Sequence, residues 1–113
     1  MNCLFCKIIK KEIPSEIVDE SNHSIAFYDI NPVAPTHVLV IPKVHIASTL
    51  DFDNNNIIYF SDMALLANKI IADKKIGNDG CRWVVNTGKY GGQTVNHLHL
   101  HVMAGRHMNW PPG

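Results

Sequence analysis

Three histidines alternate with apolar residues in Asn96-His97-Leu98-His99-Leu100-His101-Val102-Met103, and that alternation restricts the backbone more than any other feature of the chain. In a β-strand successive side chains point to opposite faces, so residues two apart share one. Leu98, Leu100 and Val102 then form a buried row, and His97, His99 and His101 line the other face. A helix would scatter the three imidazoles in unrelated directions. The spacing therefore predicts a strand over Asn96 to Met103.

Alternate residues on a strand stand roughly 6.6 Å apart. Two imidazolium charges at that separation repel by about 2–3 kcal/mol at an effective dielectric near 20, which corresponds to about one or two pKa units. Starting from about 6.5, at least one ring is neutral at pH 7. A neutral ring suits a nucleophile, a base or a metal ligand. Three uses remain open on these grounds: a catalytic and phosphate-binding face, a metal site, or a solvated strand face. Gly91-Gly92-Gln93-Thr94 immediately before the row favours the first. Glycines let backbone N–H groups approach an anion, and Gln93 and Thr94 add hydrogen-bonding side chains.

The other elements fit around that strand. Cys3 to Lys11 reads as a short helix before Pro14. Glu16 to Val18 and Ser24 to Asp29 read as strands. His37 to Ile41, stopped by Pro42, reads as a central strand buried on both faces. The long helix lies near Asn54 to Lys75, where Ile57, Phe60, Ala64, Ala67 and Ile71 repeat at three and four and Met63, Leu66 and Ile70 widen the stripe. So apolar a helix implies a homodimer that uses part of it; a helix sunk into the core of its own chain is the alternative. Gly77 and Gly80 end the helical region. Cys81 to Asn86 is a strand in which Cys81 reads as an inert, buried residue, and Thr87 to Val95 is a Gly-rich loop. Strands with little β–α alternation imply an α+β fold with a five-stranded antiparallel sheet, spanning residues 1–113 as one domain.

The chain has 113 residues, 46% of them hydrophobic and 18% charged, a globular balance. Ten basic side chains meet ten acidic ones. With no basic excess, binding to long DNA or RNA is not expected. Nor is a membrane span, which needs roughly 20 apolar residues in a row. Three cysteines, two of them in Cys3-x-x-Cys6, and an N-terminus that reaches Lys7 too soon for a secretory signal point to the cytoplasm.

The histidine row matches the His-φ-His-φ-His-φ-φ signature (φ apolar) of the histidine triad superfamily. Lys7-Ile8-Ile9, Ala26 to Pro32, Ala34-Pro35-Thr36-His37, Val40-Ile41-Pro42-Lys43, Val85-Asn86, Gly91-Gly92-Gln93 and the tail Gly105 to Gly113 are similar to its Hint branch. The resemblance implies a HIT-like fold with a short N-terminal helix, and a homodimer with an extended sheet. It implies hydrolysis of purine nucleoside phosphoramidates at the P–N bond without a catalytic metal. His99 would attack phosphorus and carry the nucleotide. His101 would contact phosphate oxygens, Thr94 would protonate the departing amine, and His37 would pair with His97 behind the nucleophile. Thr94 stands where the family more often has Ser. By the same resemblance Asp29 would hold the ribose hydroxyls, and Ile8, Phe27, Ile30 and Leu39 the base. Asn86, Gly92, Gln93 and Val95 would line the phosphate side, and Trp110 would reach the partner's site.

Cys3-x-x-Cys6 is absent from many Hint members. Other branches of the superfamily carry a comparable pair and hold zinc, completed by residues that correspond to His45 and His97 here. A Cys₂His₂ set suits a closed tetrahedral structural zinc; two buried thiols or a redox pair are the alternatives. Two rival functions stay open beside the hydrolase: a metal-dependent hydrolase, which lacks a carboxylate in the row, and a nucleotide-binding regulatory module with vestigial catalysis.

Overall fold

The computed structural model describes residues 3–113. The order is α1 (Leu4–Ile9), β1 (Ile17–Glu20), β2 (Ser24–Tyr28), β3 (Thr36–Pro42), a 3₁₀ turn (Thr49–Asp51), α2 (Ile57–Lys74), β4 (Cys81–Val84), α3 (Gly88–Gly91) and β5 (Leu100–Ala104). The five strands form one antiparallel sheet in the order β1-β2-β3-β5-β4. This is the α+β architecture expected from the strand pattern.

β3 sits centrally, and from Val38 to Pro42 every residue is buried. Its period-two alternation divides the core. Val38 and Val40 join Leu98, Leu100 and Val102 beneath Met63, Leu66, Ala67 and Ile70 of α2. Leu39 and Ile41 face the other way, among Cys3, Phe5, Ile8, Ile25 and Phe27. Both faces of the sheet are therefore covered, one by the long helix and one by the short N-terminal helix. The buried stripe of α2 is Met63, Leu66, Ala67 and Ile70, with Phe60 and Ile71 packed at its edge; of the residues named from periodicity, Ile57 falls outside it at 40% exposed.

Several boundaries moved. The last strand begins at Leu100, not Asn96. Its partner β3 ends at Pro42, which has no N–H to give the ladder. The Leu98 N–H turns to the Ile46 carbonyl instead, at 2.7 Å. α2 ends with Lys75 in the left-handed conformation, φ 58°, so a lysine and not a glycine caps it. The loop after β4 contains the helical turn α3. Cys81, expected to be buried, is exposed, because β4 is an edge strand with no neighbour beyond it. Among the described residues, no helix is long and apolar enough to cross a membrane.

Candidate active site and metal centre

The three histidines do not share one environment. His97 and His99 precede the β5 ladder and are buried, and His101 lies within it opposite Leu39 and Val84. Their face is shielded by α1. Phe5 packs edge-on against His99 at 5.2 Å between ring centres and against His97 at 5.9 Å. This is not a solvated strand face.

Hydrogen bonds assign the tautomers. His99 Nδ1 lies 2.7 Å from the carbonyl oxygen of His97 and must donate to it. That leaves Nε2 of His99 bare, on a ring that lines a cavity. The Val33 N–H can only donate, and it points at His37 Nδ1 at 3.1 Å. His37 therefore carries its proton on Nε2 and donates it to His101 Nδ1 at 2.9 Å. His101 is left with its proton on Nε2. That atom is the one buried side-chain nitrogen or oxygen without a partner among the described residues. A bare imidazole nitrogen and an unspent N–H thus stand on neighbouring rings, 4.9 Å apart between centres. Unpaired buried donors are costly and rare, and a ligand oxygen is a natural acceptor for this one.

Burial, more than mutual repulsion, favours the neutral form of His101, His97 and His37. It lowers the pKa of His101 to about 4, with smaller contributions from the charges of His99 and His37 and an opposing one from Asp29. His97 is likewise lowered to about 4, again chiefly by burial. His37 is lowered by burial against the opposing pull of Asp29.

Asp29 is aimed by an Asx turn. Its Oδ1 accepts the Asn31 N–H at 2.8 Å, and its Oδ2 lies 3.4 Å from His37 Nε2. A carboxylate therefore does stand beside the histidine row, contrary to the linear sequence, because β2 ends next to β3. Asp29, His37 and His101 are close enough to ligate one ion. A metal there would need His37 Nε2 bare, whereas the Val33 N–H holds the proton on that nitrogen. The cluster is built as a hydrogen-bonded relay.

His37 does not pair with His97, as the resemblance implied; it meets His101. His97 turns the other way. Its Nε2–H donates to the Pro42 carbonyl at 3.0 Å, leaving Nδ1 bare among three other donor atoms. Cys3 Sγ lies 3.4 Å from it, Cys6 Sγ 3.6 Å and His45 Nδ1 3.2 Å, and Cys6 Sγ is 3.4 Å from His45 Nδ1. Around a tetrahedral zinc, with Zn–S about 2.3 Å and Zn–N about 2.0–2.1 Å, the S···N edges are about 3.5 Å and the N···N edge about 3.3 Å. The four side chains fit such an ion, and the Pro42 carbonyl orients the His97 ring as a partner behind a metal ligand does.

Two cavities meet at the row. One, of about 280 Å³, is lined by Ile8, Phe27, Ile30 and Leu39 with Asp29, Thr94, Val95, His99 and His101. The other, of about 480 Å³, is lined by Asn86, Gly92, Val33, His37, Val84 and Met103 with Asp29, Thr94 and His101. Of the residues expected on the phosphate side, Asn86 and Gly92 line the second cavity and Val95 lines the first; the two adjoining spaces share Asp29, Asn31, Thr94 and His101. Gln93 lines neither. Its Nε2 donates to the Ala47 and Val95 carbonyls, its Oε1 accepts the Gly88 N–H, and its own N–H goes to the Gly88 carbonyl. It shapes the loop and has no donor left for a phosphate. Trp110 is exposed and touches neither cavity.

Sequence reasoning missed Leu4, Phe5 and Ile13 on the first cavity, and the Val33 N–H and Pro42 carbonyl that set the tautomers. Phe5 and Ile8 carried a signal, an i, i+3 apolar pair on α1. The backbone groups carried none.

A family model described as HIT domain matches residues 10–108. A relative from Zea mays, the "14 kDa zinc-binding protein", is 48% identical over 111 residues, covering 97% of this chain and 87% of that one. A crystal structure of a HIT family hydrolase from Legionella pneumophila Philadelphia 1 is similar with a TM-score of 0.96 at 45% identity, covering 99% of this chain and all of that one. A histidine triad nucleotide-binding protein from Candida albicans is similar with a TM-score of 0.81 at 34% identity, covering 97% and 83%.

Proposed function

Since the chain belongs to the HIT domain family, we propose that it is a nucleotide-binding hydrolase that cleaves the P–N bond of purine nucleoside 5′-monophosphoramidates. The observation that carries this reading is the pairing of a bare His99 Nε2 with an unspent His101 Nε2–H at the junction of two cavities.

The base occupies the apolar cavity between Ile8, Phe27 and Leu39, and Asp29 Oδ2 accepts the ribose hydroxyls. His101 Nε2–H donates to a phosphoryl oxygen. His99 Nε2 attacks phosphorus, forming an N–P bond as the P–N bond to the amine breaks. The Thr94 hydroxyl relays a proton to the departing amine, giving its own and taking one back from a solvent water. The nucleotidyl imidazole keeps its Nδ1–H on the His97 carbonyl, and so carries a positive charge that this carbonyl stabilises. A cationic imidazole is a good leaving group, so water attacks phosphorus and returns the electron pair to Nε2. Water supplies the oxygen of the released monophosphate. His37 fixes the His101 proton on the side facing phosphate, and charge building on the phosphoryl oxygens meets a donor already in place.

Cys3, Cys6, His45 and His97 hold a structural zinc in this reading. Four protein ligands leave no open position for substrate, so no metal takes part in the chemistry. The exposed Ile58 and Leu65 of α2 and Trp83 of the edge strand β4 support a homodimer. Elution as a monomer at micromolar concentration on gel filtration overturns the dimer.

The test of the hydrolase is turnover of a fluorogenic adenosine 5′-phosphoramidate by wild type and His99→Ala. Turnover that falls at least about a hundredfold in the variant, with a nucleotidyl adduct trapped on wild type, supports the reading. A folded wild type that binds AMP without turnover replaces it with the regulatory binding module.

A further inference from the structure

The zinc-ligand cluster and the catalytic row share one residue. His97 offers Nδ1 to the Cys3, Cys6 and His45 side chains, and its own carbonyl holds the Nδ1–H of His99 at 2.7 Å. The second connection is α1. This helix has six residues, too few to be stable alone. Cys3 is its N-cap and Cys6 lies in its first turn, so two of the four donor atoms sit at its start. Leu4, Phe5 and Ile8 of the same helix wall the apolar cavity, and the Phe5 ring edges onto His99. The larger core beneath α2, on the other face of the sheet, includes none of these residues.

We infer that Cys3, Cys6 and His45 are positioning residues for the nucleotide site: by gathering on His97 they pin α1 against the sheet, which completes the apolar wall and fixes the His99 ring. Loss of this tether opens the pocket while the α2 side of the sheet stays folded. The inference rests on the proposed zinc and nucleotide readings and adds a coupling between them, which linkage makes reciprocal.

The experiment measures AMP affinity by calorimetry on the zinc-loaded protein, after chelation, and after zinc is returned. It also records the histidine ring N–H and backbone amide NMR signals in each state. Chelation is expected to weaken AMP binding at least tenfold and to remove the His99 Nδ1–H signal, with the α2 and β3 amide signals retained; zinc restores both. His45→Ala, at a position that lines neither cavity, is expected to reproduce the loss, and His45→Cys, which keeps a zinc ligand, to avoid it. Undiminished AMP affinity in the metal-free protein or in His45→Ala overturns the inference, as does collapse of all amide dispersion on chelation. A zinc-loaded protein that does not bind AMP overturns the nucleotide reading, and a purified chain without stoichiometric zinc the zinc reading; the inference falls with either.

Discussion

His37 donates its Nε2–H to His101 Nδ1 across 2.9 Å, and the direction of that bond is dictated by the Val33 N–H behind His37. Two side chains on adjacent strands thereby decide which nitrogen of His101 presents a proton to the site. The ordering comes from one backbone amide, which cannot reverse its role as an imidazole can.

His37→Ala removes this control. His101 is then free to take either tautomer, and the phosphate donor is in place only part of the time. We expect kcat/KM to fall by roughly 10²-fold, with zinc content and fold unchanged. Steady-state kinetics with the fluorogenic phosphoramidate measures this, and ring NMR of His101 reports the mixed tautomers. Unchanged kinetics removes His37 from the mechanism.

Stability should drop as the solution is acidified. The His101 pKa is about 4 in the folded chain against an ordinary 6.5, chiefly through burial, and His37 is lowered as well. The unfolded chain therefore binds more protons between those two values, and stability falls as pH drops from 6.5 towards 4. Above 6.5 these rings contribute their full effect. Urea unfolding at pH 7.5, 6, 5 and 4.5 tests this, and His101→Asn should flatten the slope. A slope unchanged by that variant assigns the acid sensitivity elsewhere.

Gly105 and Gly92 should respond differently to alanine. At Gly105, φ is 97° and an added Cβ would lie 2.8 Å from Pro35 Cβ and 3.0 Å from its Cγ, so β5 could not leave the sheet past the start of β3 without displacement. Gly92 has φ 84° but open space around it. We expect about 2–3 kcal/mol of destabilisation for Gly105→Ala and about 1 kcal/mol for Gly92→Ala, from backbone conformation alone. Equal midpoint shifts in urea contradict this account.

Exchange of the metal separates positioning from chemistry. Cadmium also accepts thiolate and imidazole ligands, so protein reconstituted with cadmium in place of zinc should bind AMP and turn over phosphoramidate at the zinc-loaded rate. A rate that follows the Lewis acidity of the metal places it in the reaction, against the closed four-ligand site.

The alternation of histidine and leucine around His99 determined by itself which residues meet the core: Leu98, Leu100 and Val102 are all buried beneath α2. Period-two geometry is local, so it survives even where His97 and His99 lie outside the hydrogen-bonded ladder. The existence of five strands, the central place of β3 and the long helix were legible for the same reason, since each rests on contiguous hydrophobic patterning. Exact ends were not, because Pro42 and the Leu98 N–H settle the start of β5 from across the sheet. The exposure of Cys81 was not either, since an edge strand is defined by the neighbour it lacks. Tertiary structure alone decided the partners of the imidazoles. Each ring has two nitrogens that exchange roles as donor and acceptor, and a sequence does not say which backbone group faces which nitrogen. The Val33 N–H and the Pro42 and His97 carbonyls make that choice, sending His37 to His101 and His97 to the cysteines.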